Sequence, residues 1–134
     1  MVDNLWATAE DGLLTQLQLA RRGPKRNGSF ALWLFLHACQ GVLPPVDLST
    51  RAHRARLDRL ERRLSSLSVP GPLRRPLVGS IHTLREGTAS AATTALRHLV
   101  VPVRDVLGAE AAEAVATAAR ATAAAADRRG RGSP

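Results

Sequence analysis

The chain has one cysteine, Cys39, no tyrosine, and only four aromatic residues, Trp6, Phe30, Trp33 and Phe35. A single cysteine excludes an internal disulfide framework and a thiolate-rich zinc site. Scarce aromatics weaken any reading built on platforms that stack nucleic-acid bases. Lysine is nearly missing as well: of 19 basic residues, all but Lys25 are arginine. Long apolar runs are lacking. The most apolar stretch, 30–43, is interrupted by His37 and Gln40 and stops at Pro44-Pro45. As a helix its fourteen residues would cover roughly 21 Å, short of the ~30 Å hydrocarbon core, so integral membrane insertion is not expected. The first residues carry an acid, Asp3, where a secretory signal would carry positive charge, and a cytoplasmic location is the expectation.

What remains is a chain of 134 residues, 45% hydrophobic, with a net charge of +8. That length suits one domain with one core. Alanine, glycine, proline and arginine are all abundant, the protein-level mark of a GC-rich genome, so the arginine excess is open to two readings, codon bias or function. Whatever its origin, the charge favours acidic surfaces.

Punctuation divides the chain into helical blocks, and no segment reads as a strand. The first block runs from a cap at Asp3 or Asn4 to residue 22, with Trp6, Ala9, Leu13, Leu17 and Ala20 at helical spacing. Gly23-Pro24 breaks it. A second helix is predicted to start after Ser29, with seven consecutive apolar residues, 30–36. A helix apolar all round lies at the centre of a bundle or under a partner, so Phe30, Trp33, Leu34 and Phe35 are the candidate core or partner face. Trp33 is expected to be nearly inaccessible. The third helix, capped by Asp47 or Ser49 and reaching about residue 68, carries Leu57, Leu60, Leu64 and Leu67 as a narrow seam. These leucines are expected to pack within the chain.

A short fourth helix is expected from Pro76 to about Gly87, and a fifth from about Ser90, kinked or split at Pro102. After Gly108, 12 of the 18 residues 109–126 are alanine. This segment is helical by propensity, either packing very closely through small side chains or projecting into solvent. Residues 128–134 read as a disordered basic tail. The expectation is therefore an all-α bundle of five or six helices without a sheet, one domain over 1–127, then the tail.

Little here assembles into chemistry. His37 and Cys39 are two apart and face different sides of a helix, so they form no nucleophile–base pair. His37 and Gln40 share a face and are read as a buried polar pair. His82 and Glu86 stand four apart but need a third ligand to hold a metal. The segment 23–29 lacks the lysine of a phosphate loop and no strand precedes it; its weaker version is an anion site at a helix start, formed by Lys25, Arg26 and Ser29. A helix-turn-helix over 82–99 places polar residues where that motif packs apolar ones, and between Gly87 and Pro102 it offers only Arg97 for phosphate contacts.

The strongest feature is basic. Arg51, Arg54, Arg56, Arg59, Arg62 and Arg63, with Arg74 and Arg75, form a candidate polyanion-binding ridge, and block 47–75 sets eight arginines against three acids. The same pattern is also what the solvated face of an amphipathic helix looks like in an arginine-biased proteome. With no assembled catalytic group, no enzyme activity and no cofactor are expected. The leading reading is a non-catalytic interaction or assembly subunit that binds a protein partner or itself through apolar helix faces, on the 30–43 helix or the alanine face after Gly108. The second reading is a nucleic-acid-binding accessory protein using the arginine ridge.

Overall fold

A computed structural model describes residues 2–19, 23–44 and 46–132, with side chains described at 5–19, 23, 25–44 and 46–127. Six α-helices follow one another: α1 (Val2–Leu19), α2 (Pro24–Gln40), α3 (Thr50–Ser66), α4 (Gly71–Leu84), α5 (Ala89–Leu107) and α6 (Ala109–Gly132). Among the described residues there is no strand, and the protein is an all-α helical bundle.

Helix starts depart from expectation where proline is involved. α2 begins at Pro24, not after Ser29: Gly23 takes φ 94° as the cap, and Asn27 N–H donates to Gly23 O at 3.1 Å. Proline in a first turn lacks only an N–H that has no intrahelical partner, so the residues that stop one helix also open the next. α4 likewise begins at Gly71, with Pro70 as its cap and Pro72 in its first turn, and Pro76 lies inside it. α5 is capped by the Thr88 hydroxyl and continues through Pro102 without splitting. The Ser49 hydroxyl, rather than Asp47, caps α3 by accepting from Ala52 N–H. α6 runs on to Gly132, past the expected limit at 126. The side chains of 128–132 and the whole of 133 and 134 lie outside the described residues.

One continuous core joins all six helices. α2 gives Leu32, Phe35, Leu36 and Cys39; α3 gives Leu57, Leu60 and Leu64; α4 gives Leu73, Leu77, Ile81 and Leu84; α5 gives Leu96, Leu99 and Val103. The leucine seam of α3 is thus internal packing, with Leu67 half-buried at its end. Extending that seam back one turn reaches His53, which is also buried. Its Nε2 donates to Leu84 O at 2.8 Å and fastens the start of α3 to the end of α4.

The alanine segment packs closely. α6 lies against α5 and α1, burying Ala111, Ala112, Ala114, Ala118, Ala119, Ala121 and Ala125 around Val115. The approach is tight enough that a Cβ added at Gly12 would stand 3.1 Å from that of Ala114. Thr93 and Thr122 meet hydroxyl to hydroxyl at 2.8 Å across α5 and α6, satisfying polar groups that the close approach desolvates.

Candidate partner-binding surface

Helix α2 carries two apolar stripes of the same spacing. Leu32, Phe35, Leu36 and Cys39, at i, i+3, i+4 and i+7, are wholly buried. Phe30, Trp33, Leu34 and His37 repeat that spacing one flank over and are half-buried. Seven apolar residues in a row cover every side of a helix, and α2 does touch all five other helices, but its neighbours α1 and α3 leave one flank only partly covered. Trp33 therefore stands at the rim instead of being inaccessible, and of the four residues of the candidate face only Phe35 belongs to the core. The rings of Trp33 and His37 meet edge to face, with centroids 4.7 Å apart.

Grooves lie on both sides of the outer stripe. Toward α1, Phe30 and Trp33 face Leu14, Leu17, Gln18 and Arg26. Toward α3, Leu34, His37 and Ala38 face Leu60 and the arginines Arg56, Arg59 and Arg63, enclosing about 320 Å³. Arg56 donates to His37 O at 3.3 Å, and the Arg63 guanidinium lies over the Phe30 ring, 5.4 Å from its centroid. His37 Nε2 is buried and has no hydrogen-bond partner.

The arginine ridge wraps the helix it rides on. Arg56, Arg59 and Arg63, at i, i+3 and i+7, share the edge of α3 that faces α2. The acids Asp58 and Glu61 are on the α4 side, where Arg85 meets them at 3.0 Å and 2.6 Å. Hydrogen bonding to Glu61, and then to Asp58, raises the Arg85 pKa above its ordinary value. By helical phase Arg51, Arg54 and Arg62 lie with these acids and are exposed. Arg74 and Arg75 project separately from α4, both exposed. Arg59 and Arg62, three apart, join the two flanks, so the six α3 arginines wrap one continuous arc, while Arg74 and Arg75 stand apart on α4. The edge toward α2 is the one where arginines stand without an acid among the described residues.

Other residues singled out from the sequence come apart. Ser29 is buried on the second turn of α2 and lines one groove with Lys25, Gln16, Leu19 and Leu107, but Arg26 does not join them. Arg26 instead turns back to donate to Leu17 O at 2.8 Å. His37 and Gln40 do not pair: Gln40 Nε2 donates to Glu10 of α1, and a separate groove there holds Trp6, Leu43 and Val46. Cys39 is buried and free, and burial pushes its thiol pKa up. His82 and Glu86 are exposed, and no cluster of three or more metal-binding side chains occurs among the described residues. No described helix is long and apolar enough to cross a membrane. The alanine face after Gly108 is spent on internal packing. His53 was not singled out, although its place one turn before Leu57 marks it as a seam position.

No protein-family model, curated protein or solved structure matches this chain.

Proposed function

We propose that the chain is a non-catalytic cytoplasmic interaction subunit that docks a protein partner on the outer stripe of α2. One observation carries this reading: Phe30, Trp33, Leu34 and His37 form a second apolar stripe, half-buried, with grooves on both sides and arginines at the rim. Tryptophan and arginine are enriched among residues that dominate binding energy, and they act from central pockets whose surroundings exclude water. Three of the four aromatic residues stand at the surface grooves, a placement that core packing alone does not require. The free, buried thiol is compatible with a reducing compartment.

The test is purification of the native protein under gentle conditions, with the molar mass of the eluted species measured by light scattering. A stable hetero-complex is expected. Trp33→Ser and Leu34→Ser should each release the partner while the variants stay folded, with helicity kept and the thermal midpoint lowered by several degrees at most. Variants that fold and keep the complex would move the interface elsewhere. The second reading, a nucleic-acid-binding accessory role, is supported by the exposed Arg51, Arg54, Arg62, Arg74 and Arg75. It predicts co-purifying nucleic acid whose binding weakens steeply with salt.

A further inference from the structure

The groove between α2 and α3 has a definite chemistry, and the inference drawn from it rests on the docking reading above. Its floor is apolar, made by Leu34, Ala38 and Leu60. Its α3 wall is positive only, because Arg56, Arg59 and Arg63 face it while Asp58 and Glu61 are held by Arg85 on the other edge. Two of the three arginines are positioned in advance, Arg56 by the His37 carbonyl and Arg63 by the Phe30 ring. Between them Arg59 makes no described ion pair. Charge of one sign along a groove without a counter-charge calls for the opposite sign in its occupant.

The spacing narrows the class further. From Arg56 to Arg63 is seven residues, about 10 Å of helix. A partner helix with carboxylates at the same i, i+3 or i+4, i+7 repeat would meet all three guanidiniums and set an apolar stripe on the floor. His37 lines the same groove, but its Nε2 is itself buried and offers the occupant no contact. Nucleic acid fits less well. Its phosphates would satisfy the arginines but leave the leucine floor uncovered.

We infer that the α2–α3 groove binds an acidic amphipathic helix of a partner protein, its carboxylates paired with Arg56, Arg59 and Arg63 and its apolar stripe on Leu34, Ala38 and Leu60. The probe is a fluorescein-labelled helical peptide of about 18 residues, ~27 Å long, with leucines on one stripe and glutamates beside it. Its counterpart has lysine in place of every glutamate. The full-length protein should bind the glutamate peptide at least about tenfold more tightly than the lysine peptide, with affinity declining moderately as salt screens the pairs.

The double variant Arg59→Glu/Arg63→Glu, with its circular dichroism and thermal midpoint unchanged, should reverse that preference. A reversal cannot come from loss of folding. A preference that survives the charge reversal, or equal binding of both peptides, overturns the inference. So does tighter binding of a duplex DNA oligonucleotide, or a homodimer that dissociates on charge reversal, since either puts a different occupant in the groove. The two proposals fail separately. If a native complex is lost in Leu34→Ser but retained in the arginine variant, the docking face stands and the acidic helix does not. If it is retained in both, the docking face itself is wrong.

Discussion

The two sides of this bundle are built from different materials. On one side α6 meets α5 and α1 through alanine, so the helices approach until a methyl added at Gly12 would touch Ala114. Each contact is small, but little space is left for anything else. On the other side α2 and α3 meet through leucine at the core and leave His37 and three arginines around a groove of about 320 Å³. Close packing by small residues makes a finished interface; large side chains at a rim make an unfinished one. The alanine helix, which the sequence offered as a partner face, is therefore scaffold. The helix that looked like core is core, with one flank left only partly covered.

The sharpest way to break this contrast lies within α2. Phe35→Ala should cost about 3–5 kcal/mol in denaturant unfolding, because it empties a fully buried site. Trp33→Ala removes a larger side chain yet should cost no more than about 2 kcal/mol, since the rim already meets solvent. If Trp33→Ala costs as much as Phe35→Ala, the outer stripe is core and the docking face disappears.

A smaller effect separates α6 from α3. Ala118→Leu overpacks the tight side and should cost about 1–3 kcal/mol. The same enlargement at exposed Ala55 of α3 should stay within about 0.5 kcal/mol. Equal thermal midpoints for the two variants would show that the alanine interface is slack.

The smallest effect concerns Cys39. Its raised thiol pKa keeps the folded state protonated where the unfolded thiol has begun to ionise. The unfolded state then binds fewer protons, so this stability is fully present below the ordinary thiol pKa of about 8.5 and is lost as pH rises beyond it. With no tyrosine and one lysine, few other groups titrate there. Wild type should lose stability between pH 8 and 10 more steeply than Cys39→Ala, and the native thiol should resist alkylating reagents until the chain unfolds. Rapid native labelling would place Cys39 at the surface.

Fold class was legible because helical spacing recurs in every block and the breaks fall at Gly-Pro and Pro-Gly-Pro. Helix starts were less legible, since proline punctuates and initiates with the same residue. Gly28 compounded this by making 23–29 look like a loop. Its reason is packing: a Cβ there would stand 3.2 Å from Leu73 and Leu107. The site was half legible. Phe30, Trp33 and Leu34 were visible as an apolar face, but a run with no polar member carries no phase, so its inner and outer stripes were indistinguishable. The split of the arginines was present in their spacing, with 56, 59 and 63 on one flank and 51, 54 and 62 on the other. It gained meaning only once α2 and α4 were placed on either side.

The most direct test compares the two tryptophans. Both are half-buried, Trp33 on the outer stripe of α2 and Trp6 in the separate groove beside Glu10 and Gln40. Hydroxyl-radical footprinting of the free protein should oxidise both. In the complex purified with its native partner, Trp33 should be protected several-fold while Trp6 is oxidised as before. Unchanged oxidation of Trp33, or protection confined to Trp6, would contradict the assignment of the α2 stripe as the docking face.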